Sequence, residues 1–320
     1  MNERPLVTVA MPVRNGARWL GAAIESVRAQ THCNLQIVIS DNASTDETPR
    51  ICQAAAHDDE RIEVVRHEQA VHVSDNFDAS RRRKRGAYFM WAADDDLREP
   101  EQVARLLEAL ESSPAATLAY SWTRMVDVDL QPLGINEGYD GRITSSDPVE
   151  RVKAFAGMHY RVPIYGLMPA RAVDAASPLS DRVDSDGEFL LRLLLRGPFV
   201  TVREPLFIYR LRHSHEDYDR IFAAQGGDRE LARGAMYRRV IRESALDAAT
   251  KRRAIRAVDA ALRDESEARY HWLVGELLRT YERRGAALRT LATWARQVPG
   301  ASGSRFTWGA ARRIAFGRRS

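Results

Sequence analysis

Three consecutive carboxylates, Asp94, Asp95 and Asp96, follow directly on the apolar run 88–92. Like charges this close resist joint ionisation unless a cation or solvent offsets them. A hard divalent ion such as Mg²⁺ or Mn²⁺, taking one or two carboxylates plus phosphate oxygens, suits such a group. The plainer alternative is that the acids favour the start of the helix opening near Pro100, for which one aspartate would suffice. Two other polar strings also close apolar runs: Pro12-Val13-Arg14-Asn15-Gly16 and Ser40-Asp41-Asn42-Ala43-Ser44-Thr45-Asp46. A carboxylate at position 41 can accept from an imide N–H, which cytosine lacks, or it can close an Asx-turn with Ser44 as helix cap. Farther on, Asp184-Ser185-Asp186-Gly187-Glu188 precedes an apolar helix, either as working acids or as an acid-rich N-cap. Arg210 and Arg212, beside His213 and His215, end the last strand-like run and are suited to phosphate.

The elements that must position these groups show a βαβ rhythm. β-Branched apolar runs at 6–11, 35–40, 62–66 and 88–92 alternate with helical spacing such as Trp19, Leu20, Ala23, Ile24 and Val27. Parallel strands joined by right-handed helical crossovers form an open sheet covered on both faces, and ligands bind beyond its carboxyl edge. All three polar strings fall on that edge. Ser44-Thr45-Asp46 announces a helix over 47–57, and Pro100 one over 101–111. A fifth strand is expected at 117–122, a turn at 129–134, a polar loop at 140–146, a helix over 187–196 and a strand over 199–209. The run Arg81-Arg82-Arg83-Lys84-Arg85 ends a helix as a solvated cationic face. From 228 to 296 the spacing is helical throughout, giving three or four amphipathic helices after a joint at Gln225-Gly226-Gly227-Asp228. The expected division is an α/β domain over 1–215, a helical region over 216–300 and a tail over 301–320.

Composition sets the class. The chain has 320 residues, 44% hydrophobic and 29% charged, which excludes disorder, collagen-like repeats and a disulfide scaffold. Its pI of about 9.2 invites a nucleic-acid reading. The charge distribution opposes it: Arg305, Arg312, Arg313, Arg318 and Arg319 give residues 301–320 a local charge of +5, so the net +4 leaves the first 300 residues at −1. In the tail, arginines interleave with Trp308, Ile314 and Phe316, a pattern suited to peripheral contact with an anionic membrane, with a disordered tail as the alternative. Cys33 and Cys52 lack metal or redox spacing and are expected to be buried small residues. With no apolar h-region and no run of 18 apolar residues, the expected location is cytoplasmic, at most peripheral to the inner face of a membrane.

The segments VTVAMPVRNGARWLGAAIESVRAQT, LQIVISDNASTDET, GAYFMWAADDDLREPEQVARLLEAL and, more weakly, DSDGEFLLRLLLRGPFVTVREPLFIYR together resemble a family-2 glycosyltransferase of the GT-A fold over residues 6–215. The resemblance implies a Rossmann-like, mostly parallel sheet and an inverting transfer from a nucleotide-diphosphate sugar, UDP-type favoured. It places Pro12, Val13 and Asn15 along the nucleotide, Asp41 on the base edge at uracil N3–H, and Asp94 beside the donor. Asp95 and Asp96, with His213, fall to the metal, and Arg210 and Arg212 to the diphosphate. The family spelling is Asp-x-Asp-Asp, whereas Ala93 stands at the first acidic position here, so the resemblance leaves open which of the three aspartates touches the metal. Asp186 takes the role of general base toward the acceptor hydroxyl, ahead of Asp184 and Glu188.

The expectation is therefore a Mn²⁺- or Mg²⁺-dependent glycosyltransferase of cell-envelope glycan, glycolipid or polysaccharide synthesis, acting on a saccharide or lipid-linked acceptor, with no nucleic-acid partner. A sugar nucleotidyltransferase is a weaker alternative, because the loop after the first strand carries one glycine rather than a glycine-rich phosphate cradle. The other alternative is a non-catalytic nucleotide-binding or membrane-surface module.

Overall fold

The computed structural model describes residues 4–139, 141–157, 161–181, 184–211 and 228–279, with side chains in the last two helices described for 233–263. Strands β1 (Val7–Val13), β2 (Leu35–Asp41), β3 (Ile62–Arg66) and β4 (Tyr88–Trp91) lie parallel in the order β3-β2-β1-β4. Every residue of β1 and β2 is buried, as a sheet covered on both faces requires. The covering helices are α1 (Leu20–Arg28), α2 (Thr48–Asp58), α3 (Val73–Arg82) and α4 (Gln102–Glu111). In α1 the buried residues are Leu20, Ala23, Ile24 and Val27, the stripe its spacing predicts.

α3 obeys a different rule, because its buried positions are Ser74, Asn76, Asp78 and Ser80. Their polarity is satisfied locally: Ser40 Oγ donates to Asn76 Oδ1 at 2.7 Å, and Asp78 pairs with Arg81 and Arg82, each at 2.6 Å. The cationic run is thus more than a solvated face. Arg81 and Lys84 also reach Asp174 at 3.1 and 2.6 Å, and Arg83 reaches Glu63 at 3.2 Å.

The chain then crosses into a second sheet, β5-β9-β6-β7, built from β5 (Leu97–Arg98), β6 (Leu118–Val126), β7 (Pro132–Asn136) and β9 (Phe199–Arg210), where β6 runs parallel to β9 and antiparallel to β7. Strand β8 (Met168–Pro169) closes the first sheet antiparallel to β4. β7 replaces the second half of the turn expected at 129–134. Asp127 draws the turn earlier, since its carboxylate accepts from the backbone of Asp129 and Gln131 at 2.9 and 2.8 Å, and Leu130 takes a positive φ of 64°. The polar loop expected at 140–146 contains a 3₁₀ turn, Gly141–Thr144, that buries Ile143.

Helices α5 (Pro148–Ala156), α6 (Ala170–Ala176) and α7 (Ser185–Arg196) complete the α/β part. Beyond it, α8 (Asp228–Glu243) is followed by a long α9 (Ala248–Arg279), so that two helices span the described part of the region expected to be helical. Met236, Tyr237, Val240, Ile241, Ala254 and Val258 share one core with Phe155, Phe189 and Trp91. Trp91 is fully buried against Phe89, Phe189 and Phe77, with centroids 4.9, 5.1 and 5.8 Å away, which makes it a core residue rather than a sugar platform. Cys52 is buried but Cys33 is exposed, correcting the expectation for the latter. Among the described residues, no helix is long and apolar enough to cross a membrane.

Candidate active site

The register of β1 against β2 sets Pro12 opposite Ser40 and Val13 opposite Asp41, so two of the polar strand ends emerge side by side. The loop after β1 is knitted to the start of α2. Asn15, at φ 52°, donates its backbone N–H to Ser44 Oγ at 2.9 Å, and its side-chain oxygen accepts from Thr45 N at 2.9 Å. Gly16 N donates to Thr48 Oγ1 at 2.9 Å. Asn15 therefore acts as a turn residue here, and Pro12 and Val13 are buried beneath it.

Asp41 is 1% exposed. Its Oδ1 accepts from Ser44 N at 3.0 Å, which is the Asx-turn that the sequence allowed. Oδ2 is buried without a hydrogen-bond partner, and the nearest cation is Arg66, with Nε 3.5 Å away. Arg66 is held in place by donating from Nη2 to Ser44 O at 3.0 Å. A buried acceptor left unpaired is costly, and a ligand N–H removes that cost. Sequence reasoning missed Arg66, because a lone arginine ending a strand carries no periodic or motif signal.

The third strand end brings the acids to the same edge. Space beside Gly16 is taken by Asp94, whose Oδ2 would stand 2.3 Å from a Cβ built there. Asp95 and Asp96 are 7% and 1% exposed. Arg210, at the end of β9, clasps this loop: its backbone N donates to Asp96 Oδ1 at 2.8 Å, its Nε to Asp95 O at 2.9 Å and its Nη1 to Val128 O at 2.9 Å. Two of its side-chain nitrogens are thus engaged with the protein backbone. Beneath the loop lies Arg98, 4% exposed, with Nη2 bonded to Trp91 O at 2.9 Å and Nε and Nη1 unpartnered. Burial lowers its pKa to about 10 against the opposing charge of Asp96, so it remains a cation near neutral pH behind the acidic loop.

Among the described residues no three acidic, histidine or cysteine side chains form a preformed cation cage. Hard carboxylates at a strand end still fit a Mg²⁺- or Mn²⁺-type ion that shares its shell with ligand phosphates and water. His213 and Arg212 lie outside the described residues, as do His215 and the tail.

Asp186 sits half-buried in the first turn of α7, with Oδ1 accepting from Gly187 N at 3.0 Å. Burial raises its pKa, Asp184 raises it further, and Arg161 works against both. Glu188 is buried and accepts from Ser180 at 3.1 Å, while pairing with Arg192 and, at 2.8 Å, with Arg239. It is thereby committed to joining α7 and α8. Tyr165 feels the charge of both acidic groups. Burial raises its phenol pKa well above the ordinary value, and the charges of Asp96, Asp95 and Asp186 all add to that shift. Its ring lies 5.7 Å from that of Phe207, and it lines a small cavity with Gln102, Tyr120 and Thr123. No spacing in the sequence marks it.

The glycosyl transferase family 2 model matches residues 8–144, covering β1 through the acidic loop and β6. Escherichia coli chondroitin synthase is 25% identical over 202 residues, which is 62% of this chain and 28% of that enzyme. The chain spans less than half the length of the curated relatives it matches. The crystal structure of S. aureus TarS 1–349 superimposes with a TM-score of 0.61 at 11% identity, covering 81% of this chain and 71% of that one. The mannosyltransferase PcManGT from Pyrobaculum calidifontis, solved with GDP-Man and Mn²⁺, superimposes at 0.58 with 15% identity, over 96% of this chain and 88% of that one. Residues 8–144 therefore match the family-2 glycosyltransferases, and they are set in a chain with the fold of the GT-A glycosyltransferases it superimposes on.

Proposed function

We propose that the protein is an inverting glycosyltransferase that moves a sugar from a nucleotide-diphosphate donor to an acceptor hydroxyl. The observation that carries this reading is Asp41 Oδ2, a buried acceptor without a hydrogen-bond partner at the end of β2, where Asp41 stands opposite Val13. A uracil N3–H would satisfy it, and so would the N1–H of guanine; the UDP-type donor is favoured. TarS has been solved with UDP and with UDP-GlcNAc, and PcManGT with GDP-Man, which supports a donor of this class.

In this reading Pro12, Val13 and Asn15 border the nucleotide, and Asp94 faces the donor. Asp95 and Asp96 hold Mn²⁺ or Mg²⁺, with His213 and Arg212 completing the metal and diphosphate contacts. When bound, the ion supplies positive charge for the departing diphosphate. Arg210 serves the diphosphate side chiefly by fixing the acidic loop. Asp186 takes the proton as the acceptor oxygen bonds to the anomeric carbon and the bond to the diphosphate breaks, giving inversion. Its raised pKa makes it the stronger base. Residues 1–215 thus hold the donor and the helical region 216–300 shapes the acceptor side. A saccharide or lipid-linked acceptor of cell-envelope glycan synthesis fits, with the basic tail on an anionic membrane.

Calorimetry of UDP and GDP with and without Mn²⁺, on the protein and on Asp95→Ala, tests the reading. Metal-dependent binding lost in the variant is the expected result; binding that ignores both metal and variant would overturn it.

A further inference from the structure

The turn that carries Asp186 is held from outside the matched family segment. Asp184 precedes α7 at φ 62° and ψ 38°, a conformation disfavoured for any residue with a Cβ. It stands at the N-cap position yet its side chain makes no cap hydrogen bond. The carboxylate instead folds over Gly187, where a Cβ would come within 2.5 Å of Oδ1, and gives its oxygens to arginines. Arg161 donates from Nε to Oδ1 at 3.1 Å and from Nη2 to Oδ2 at 3.3 Å, and Arg233 Nε lies 3.5 Å from Oδ2. The same Nη2 of Arg161 donates to Tyr237 Oη at 2.6 Å. Phe155 packs against both, with the guanidinium 4.6 Å above its ring and the Tyr237 ring 5.7 Å away. The side chains of Asp184, Arg161 and Arg233 are only 10%, 12% and 9% exposed.

A cap would need one aspartate and no arginine. This arrangement uses a planar fork, held edge-on by a phenol from another helix, to fix the single residue two positions before Asp186. We propose that Arg161, Tyr237 and Arg233 are positioning residues that hold the Asp184 turn and so set the direction and charge of Asp186, which makes α8 part of the catalytic apparatus. The inference rests on Asp186 being the base.

The charged and titratable groups that act on Asp186 are Asp184 on its own turn and Arg161 and Tyr165 from the 161–165 segment; from α8, Arg233 meets Asp184 and Tyr237 meets Arg161, while Glu188, one turn on, is occupied by Arg192 and Arg239. Asp184 and Arg161 act on Asp186 with opposite sign. That sign difference separates positioning from mere structural support.

The test is an NMR titration of the full chain carrying ¹³C-carboxyl aspartate, with the Asp186 signal assigned by its loss in Asp186→Asn. Arg161→Gln should move the Asp186 titration to higher pH and Asp184→Asn to lower pH. Tyr237→Phe should follow Arg161→Gln by a smaller amount, and Arg161→Lys should restore part of the shift. Turnover of UDP-GlcNAc with Mn²⁺, water serving as acceptor, should fall about tenfold or more in Tyr237→Phe and Arg161→Lys with UDP affinity unchanged, because misaimed groups lose rate rather than binding. An Asp186 titration that does not move in Arg161→Gln and Tyr237→Phe, with native circular dichroism, overturns the clamp alone. An Asp186→Asn variant with wild-type turnover overturns the base assignment and the clamp with it.

Discussion

Gly16 and Asp94 occupy one space: a methyl group at position 16 would stand 2.3 Å from Asp94 Oδ2 and 2.7 Å from the Val13 side chain. The loop after β1 and the acidic loop after β4 can meet only because position 16 has no side chain. In Gly16→Ala the mobile partner is the carboxylate, which must swing away. We expect nucleotide affinity to fall about tenfold or more, with a stability loss of about 1–3 kcal/mol for the overpacking. Calorimetry and urea denaturation measure the two separately, and unchanged affinity would show that Asp94 plays no part at the donor.

Asp41→Asn tests the base edge. The amide keeps an oxygen for Ser44 N but turns the second atom, now acceptor-only, into a donor facing a donor. Nucleotide affinity is expected to weaken by about 1–3 kcal/mol, the cost of one unpaired buried group. A variant that binds UDP as tightly as the parent would move the base elsewhere.

Asp186 sets a pH dependence. A base must be ionised, and burial beside Asp184 raises its pKa, so turnover should be lost on acidification above the ordinary carboxylate range. Stability has the opposite sign. A carboxyl whose folded pKa exceeds its unfolded value contributes stability below the unfolded value, and that contribution disappears as pH rises through the folded one. Asp186→Asn should therefore be inactive yet at least as stable as the parent above that window; comparing kcat profiles with melting curves reads both.

Trp91 anchors the core beneath the site. Trp91→Ala removes the largest fully buried side chain among the described residues and its three aromatic contacts, and should cost about 3–5 kcal/mol in urea denaturation. A loss under about 1 kcal/mol would mean that the site is not built on this cluster.

Deleting residues 301–320 tests the membrane proposal. Sedimentation with liposomes containing anionic lipid should retain the full chain and lose the truncated one, while neutral liposomes retain neither. Equal retention of both forms removes the tail from the account.

The first sheet and the edge that carries the site are legible in the sequence because parallel strands buried on both faces read as unbroken apolar runs, and each run here ends in a polar string. That logic and the family resemblance single out Asp41, Asp94, Asp95, Asp96 and Asp186 as candidates. β7 was hidden because it is an edge strand with Leu133 and Ile135 exposed, so burial leaves no mark on its pattern. α3 was obscured by its polar buried face. α5 carries a readable start signal, since Asp147 caps it by accepting from Val149 N at 2.9 Å and Pro148 occupies its first turn, but charged residues at Glu150, Arg151 and Lys153 interrupt its apolar stripe. Arg66, Arg161 and Tyr165 reach the site from separate segments, and nothing local distinguishes an arginine that meets a distant carboxylate from one in water.

Trp91 stands three residues before Asp94 and Phe189 three residues after Asp186, and their rings touch edge-on with centroids 5.1 Å apart. The gap between the acidic loop after β4 and the acids that open α7 is thus measured out by packed aromatic rings rather than by either loop. Packed rings neither stretch nor compress appreciably. In the proposed function, loops on both sides could change to admit a new sugar or a new acceptor while this span stays constant, which would make chemistry and specificity separable in the scaffold.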